Sequence, residues 1–363
     1  MKKLMLTSIG LIFCNLSIAA SPTFDIALTP DINGYYTVQM TGLDFGEGPT
    51  IALFDDFNNQ VVGQPVDLEK ALIGKWSKSS SYSAQPKVVE YDGGKAFQIH
   101  DFTKTGTAKI AQIEVIFPEK QSNIFISYSV VVPKGRFFAG SSKDLTFPDV
   151  SSWKFTWITD TPDGIGSTTM FNICAPTHAG KGSFLLAGNS VNHGWISVAD
   201  AWRWHDKNYM SFGLLTNDLD PISGSGNVVF QLTGKKDASL ITNKTSSPIF
   251  PASNTKSFDR VKFPGWFGNG DTSNFDAYYD DIYVAIGKNA LARIELSDAD
   301  DIERSTINMT MPVVSWTKDK IIFQIHEQNM NKLKAHYIRL YDRKNKSVTF
   351  RLPCDECPLP PTS

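Results

Sequence analysis

The feature that most restricts this chain is apolar and polar residues alternating at a period of two, in segment after segment. Tyr36, Val38 and Met40 alternate with Thr37, Gln39 and Thr41. Ile113, Val115 and Phe117 alternate with Gln112 and Glu114, and Ile126, Tyr128, Val130 and Val132 run similarly. Val228, Phe230 and Leu232 repeat the pattern, as do Ile282, Val284 and Ile286 against Asp281, Tyr283 and Ala285. Successive side chains of a strand point to opposite faces, so these runs predict half-buried antiparallel strands. Helical periodicity is scarce: Asp67 to Ile73 has room for one or two turns, and Ala299 to Glu303 for another. The expected class is all-β, built as sandwiches.

Two regions of this pattern differ. Residues 51 to about 301 hold most of the Trp, the Gly and the long loops. Residues 305 to 352 predict four regular short strands, Ile307 to Trp316, Lys320 to Glu327, Ala335 to Asp342 and Ser347 to Leu352. Four strands are part of an immunoglobulin-sized sandwich, and Phe24 to Phe45 supplies two more. With 24 Phe, 8 Trp and 11 Tyr and a net charge of −2, the chain has ample core material. That composition excludes general disorder, and it lacks the basic footprint of a nucleic-acid binder.

The N-terminus reads as a secretory signal over residues 1–19. Lys2 and Lys3 form a basic start, Leu4 to Ile18 is mostly apolar, and Ser17-Ile18-Ala19 offers the cleavage pattern, with Ile18-Ala19-Ala20 as the alternative. The apolar run is shorter than the roughly 20 residues a membrane span needs. The expectation is a bacterial protein that is secreted, periplasmic or on the cell surface, with no membrane span after signal removal. Cys354 and Cys357, followed by Pro358, Pro360 and Pro361, read as a local disulfide in a tail of residues 354–363; Cys174 is then an odd thiol.

Two resemblances sharpen the division. Gly34 to Gly46, with Thr41-Gly42 followed by Phe45-Gly46, resembles the opening half of an IPT/TIG immunoglobulin-like domain. Val314-Ser315-Trp316 leading into Lys320 to Ile325 resembles its later half. Together they imply one Ig-like domain of residues 22–50 and 302–353, interrupted by residues 51–301. Insertion at an exposed loop tip is easy where the two ends lie close. Leu53-Phe54-Asp55-Asp56-Phe57 resembles the first strand of a concanavalin-like lectin/glucanase jelly roll. Tyr278 to Ala285 resembles the last, and Trp202 to Phe212 with Asn227 to Gly234 resemble paired inner strands. The implied architecture is an antiparallel jelly-roll β-sandwich inserted in a small Ig-like β-sandwich. That superfamily includes lectins, carbohydrate-binding modules, glucanases and polysaccharide lyases, so fold does not choose between binding and catalysis.

The jelly-roll resemblance also implies a structural calcium where the last strand meets the first. Asp280 shares the parity of Ile282, Val284 and Ile286 and is expected to point inward, with Asp55 or Asp56 approaching it. Oxygen ligands suit that ion. The densest aromatic cluster is His193-Gly194-Trp195 with Trp202-Arg203-Trp204-His205. His193, Trp195, Arg203, Trp204, His205 and the loop residue Trp266 are the candidate sugar contacts, because flat indoles stack on sugar faces. At least one of these Trp is expected in the core.

Catalytic candidates are fewer. Gln98-Ile99-His100 resembles a strand motif of certain alginate lyases, but Gln112 to Ile116 lacks both arginines of that family's Arg-x-Glu-x-Arg strand. Glu114 has no acidic residue two positions away, whereas retaining glycosidases hold two carboxyl groups about 5 Å apart. Were the protein a polysaccharide lyase or glycoside hydrolase, His100, Glu114, His205 and Tyr209 would be the candidates. The expected function is binding of an extracellular polysaccharide; the alternatives are such an enzyme, or an adhesive surface protein that binds no glycan.

Overall fold

The computed structural model describes residues 22–26, 30–42, 44–78, 86–101, 112–131, 153–160, 170–174, 183–187, 194–197, 206–215, 227–233, 240–244, 257–264, 266–267, 275–332 and 337–352. Among them the chain is all-β apart from a short helix, Glu327–Lys332, and a single 3-10 turn, Ile302–Arg304, capped by the Asp301 side chain. That helix lies just after residues the alternation assigned to a strand. No described helix is long and apolar enough to cross a membrane.

Two large antiparallel sheets form a jelly-roll β-sandwich. The eight-stranded sheet runs, in spatial order, Gly194–Ser197, Ser183–Ala187, Met170–Cys174, Trp153–Thr159, Phe258–Phe263, Ile113–Gln121 and Ser77–Lys78, with Trp266–Phe267 also paired to Trp153–Thr159. The nine-stranded sheet runs Leu240–Lys244, Asn227–Thr233, Asn208–Leu215, Asn123–Val131, Phe275–Ile286, Thr50–Asp55 and Ile73–Gly74. Its remaining hairpin, Lys87–Tyr91 with Gly94–Asp101, pairs along the first half of the long strand Phe275–Ile286. The alternation explains the core: Ile126, Phe212, Phe230 and Val284 of one sheet meet Ile113, Val115, Val261 and Phe263 of the other.

The chain ends build a second, smaller unit. Thr23–Ile26, Tyr35–Thr41, Lys320–His326 and Val313–Trp316 form one four-stranded sheet, in which Val38 lies opposite Phe323. Asn308–Thr310, Arg293–Ser297, Tyr337–Tyr341 and Ser347–Arg351 form the other. Val38, Met40 and Phe323 from the first and Ile294, Leu296 and Ile338 from the second share one core. The strand Arg293–Ser297 follows the last jelly-roll strand directly and still pairs with the C-terminal strands.

This unit lies on the outer face of the nine-stranded sheet. Tyr209 of that sheet enters the small unit's core. Phe54, Phe125, Val229, Tyr283 and Ala285 pack on Ala290 and Leu291. The Ser127 hydroxyl donates to Thr310 Oγ1 at 2.7 Å. Gly213 has a local reason: a Cβ there would stand 2.4 Å from the Leu291 side chain, so only glycine admits that approach without a shift. Each large apolar side chain buried in this contact contributes roughly 1.5–3 kcal/mol.

One expectation fails at the long strand. The register slips between Asp280 and Tyr283, and Asp281 adopts φ 53°, an uncommon left-handed conformation. The bulge switches parity: Ala277 and Tyr279 face the sandwich core before it, and Ile282, Val284 and Ile286 face it after. Asp280 lies opposite Ser129, whose neighbours Tyr128 and Val130 are the core residues. It therefore belongs to the outer side of the sheet, not the inner side that uninterrupted alternation implied.

Candidate functional site

With one outer face covered by the small unit, the face that remains is the outer side of the eight-stranded sheet. Core residues alternate with charged ones on its central strands. Val261 and Phe263 face the core, so Arg260 and Lys262 face away; Ile113 and Val115 face the core, so Glu114 and Ile116 face away. The register aligns Ser77, Glu114, Lys262, Trp157, Asn172 and Ala187 in one row. Arg260 lies in the adjacent row, between Ile116 and Thr159.

Glu114 is 1% exposed and Lys262 2%. The Arg260 guanidinium stands 3.4 Å from the Glu114 carboxylate and the Lys262 ammonium 3.6 Å from it. Burial pushes the Glu114 carboxyl up, and Lys262 and then Arg260 pull against that without cancelling it. Burial opposes the charge of Arg260, but its bond to Asp259 and its pairing with Glu114 hold it above its ordinary value. Two cations are thus positioned on a sheet face around one carboxylate, with the Trp157 indole in the same row. Chemically, such cations can pair with polar or anionic groups; here they pair with Glu114 and Asp259, and their side chains are buried. The group does not supply the paired carboxylates of a retaining glycosidase. Lys262, Arg260 and Trp157 escaped the sequence reading; the signal was charged residues at period two inside Phe258–Phe263, where solvent exposure alone is the simpler explanation.

Of the sugar-contact candidates, Trp195 and Trp266 lie on strands of this same sheet. The register places them at the two ends of one row, Trp195, Leu185, Cys174, Lys154 and Trp266, next to the Glu114 row. Four strand spacings separate them, about 19 Å at roughly 4.8 Å each. That is the reach of an oligosaccharide rather than a single sugar. His193, Arg203, Trp204 and His205 lie outside the described residues, as do the signal segment and Cys354 and Cys357.

Of the catalytic candidates, the described residues His100, Glu114 and Tyr209 are not brought together. The backbone of His100 pairs with Asp276 in the nine-stranded sheet, whereas Glu114 lies in the other. Tyr209 is 6% exposed and sits in the small unit's core, and burial pushes its hydroxyl further above the physiological range. It has neither access to a groove nor the charge of a base at neutral pH.

The three expected calcium ligands are held by donors of the chain itself. Asp55 accepts from the Trp76 indole N–H at 2.7 Å, from Phe57 N at 2.8 Å and from Gln60 Nε2 at 3.1 Å. Burial pushes its carboxyl up to about 7 despite these bonds. Asp56 accepts the Tyr35 hydroxyl at 2.7 Å, and Asn58 N at 3.2 Å. Asp280 accepts the Lys207 ammonium at 2.7 Å and Asp281 N at 2.8 Å. No described residues form a group of three or more metal-binding side chains. These donors already engage oxygens of all three carboxylates that the resemblance assigns to calcium.

No family model matches the sequence, and no curated protein matches it significantly. Among solved structures the chain is similar to an alginate lyase from Chlorella virus, at 15% identity and TM-score 0.37, over 56% of this chain and 89% of that one. It is also similar to a glycoside hydrolase family 16 endo-glucanase from Bacteroides ovatus, at 14% identity and TM-score 0.35, over 64% and 99%. Lectin II from Ulex europaeus matches at 13% identity and TM-score 0.33, over 58% and 94%. These are carbohydrate-binding or carbohydrate-active jelly rolls, and the likeness is one of fold.

Proposed function

We propose that this is a secreted or cell-surface protein that binds an extracellular polysaccharide along the outer face of its eight-stranded sheet. The observation that carries the reading is the register. It sets the backbone positions of Trp195 and Trp266 in one row, beside the row holding Glu114, Lys262 and Trp157, in the sheet the small unit does not cover. Indoles supply flat stacking surfaces, and buried, oriented cations supply directional polar contacts. The small unit, an immunoglobulin-type module of the IPT/TIG kind in this reading, serves as scaffold. Polymer repeats strengthen an interaction that is weak at each contact.

Retention on immobilised polysaccharides tests the proposal. Ring stacking contributes about 0.5–1.5 kcal/mol, so Trp195→Ala and Trp266→Ala each weaken retention by roughly tenfold or less. Arg203→Ala and His205→Ala, in the adjoining sequence cluster, weaken it while leaving the circular dichroism spectrum unchanged. If the wild type retains no polysaccharide, or all four variants retain it equally, the proposal is wrong. A second reading, polysaccharide cleavage, draws on the raised Glu114 carboxyl beside two cations; release of unsaturated uronides or reducing ends by the wild type, lost in Glu114→Gln, distinguishes it.

A further inference from the structure

Lys207 has a position that the glycan-binding reading does not use. It begins the stretch leading into the strand Asn208–Leu215, and its ammonium lies 2.7 Å from Asp280 and 3.9 Å from Asp281. All three side chains are nearly buried. Asp280 and Asp281 form the bulge of the last jelly-roll strand, and Asp55 and Asp56 end the strand Thr50–Asp55 and begin the turn after it. Asp55, Asp56, Asp280 and Asp281 thus lie at the seam where the first and last strands meet, Asp55 opposite Ile282. An unpaired charge there would be costly, because burial removes its hydration.

We infer that this seam is closed by the chain's own cation, Lys207, where the jelly-roll resemblance implies calcium, and that the protein is built to hold the seam without a metal. Each carboxylate has a chain partner of its own. The Lys207 ammonium bonds Asp280, the Tyr35 hydroxyl spans both oxygens of Asp56, the Trp76 indole and Gln60 take Asp55, and Ser129 donates to Asp281 at 3.3 Å. Calcium takes six to eight oxygen ligands, about 2.3–2.6 Å away. To enter, it would have to expel the ammonium and turn the phenol hydroxyl away. Tyr35 reaches the seam from the small unit, where its ring packs on His326 at 4.9 Å between centroids. The chain-supplied donors thus also tie the two units together.

The test uses the full chain, with calcium chloride, EDTA and terbium as probes. Trp76 on Asp55 makes terbium luminescence a sensitive reporter of a lanthanide at this seam. The wild type is expected to give no sensitised emission, and its Tm to be the same in EDTA and in millimolar calcium. Lys207→Met lowers the Tm, since it strands the charge of Asp280. The double variant Lys207→Met/Asp280→Asn removes one charge of each sign and recovers part of that loss, and it provides the measurement should the single variant fail to fold. A wild type whose Tm falls on chelation, or whose terbium emission is abolished by Asp280→Asn, overturns the inference. So does a Lys207→Met protein as stable as the wild type, or a double variant no more stable than Lys207→Met.

Discussion

The two outer faces of the jelly roll are made by the same alternation and end differently. On the nine-stranded sheet the outward residues that the small unit buries include Phe125, Ser127, Tyr209, Gly213, Val229, Gln231, Tyr283 and Ala285, all uncharged, while the outward Asp280 is paired with Lys207. On the eight-stranded sheet the outward residues of the central strands are Glu114, Ile116, Arg260 and Lys262, and Ile116 is 45% exposed. Charge is not what separates buried from uncovered, because the seal has its own. Glu295 accepts from Arg293 at 2.6 Å, from Asn308, and from Gln231 of the jelly roll at 3.5 Å. The Arg293 guanidinium lies over the rings of Phe125 and Tyr341, at 4.4 and 3.5 Å. The difference lies in which partners complete the charges. At the seal the two units supply them to each other; on the other face neighbouring strands supply them, and Glu114, Lys262 and Arg260 are themselves buried.

The largest effect that should break this comparison is Arg293→Ala. It leaves Glu295 buried with its strongest partner gone, a change that costs about 3–5 kcal/mol where one member of a buried pair is removed. Chemical denaturation should show the loss for the jelly-roll and small-unit signals together, since Arg293 bridges them; separate transitions would show that the seal is not cooperative. The pH dependence sharpens the same point. Burial pushes the Glu295 carboxyl up, but Arg293, Asn308 and Arg339 outweigh it and hold it below its ordinary value. The folded chain therefore binds that proton less readily than the unfolded chain. Its stabilising contribution is complete above the ordinary carboxylate range and is lost as the pH falls through the depressed folded value. Arg293→Ala should remove most of that acid dependence.

A smaller effect is expected from Lys262→Met on the uncovered face. Arg260 still pairs with Glu114, so the loss should be that of one charge-assisted contact, about 1.5–3 kcal/mol. Polysaccharide retention should fall with it if this face is the binding surface. A variant that melts like the wild type and retains glycan equally would show that the Lys262 ammonium contributes to neither stability nor binding. The smallest effect is expected from Ser127→Ala at the seal, about 0.5–1.5 kcal/mol, because Thr310 loses a buried hydroxyl partner. Urea denaturation resolves it, and glycan retention should not change.

Much of the fold is legible from particular residues. Val38 and Met40, and Ile282 with Val284, read as inward positions from alternation alone, and they are core residues. The short turn Ile302–Arg304 falls where Ala299 to Glu303 predicts one. The helix Glu327–Lys332 was not legible, because a six-residue helix spans too few turns to show a period. Of the candidate site, Trp195 and Trp266 come onto one sheet row, while His100, Glu114 and Tyr209 are placed apart. No local spacing reports which strands pair over such separations.

What the sequence by itself determined is the side of a strand each residue occupies, since the two-residue period is a property of the extended backbone. Which face is then sealed, which charge meets which, and where the parity switches were decided only by the tertiary structure. Lys207 and Asp280 meet across 73 residues of chain. Arg293–Ser297, adjacent in sequence to the last jelly-roll strand, pairs instead with Tyr337–Tyr341. The bulge at Asp280 and Asp281 moves a carboxylate to the opposite side of its sheet. Each outcome depends on packing between distant segments, where the cost of an unpaired buried charge or an unfilled face selects one arrangement among several that alternation permits equally well.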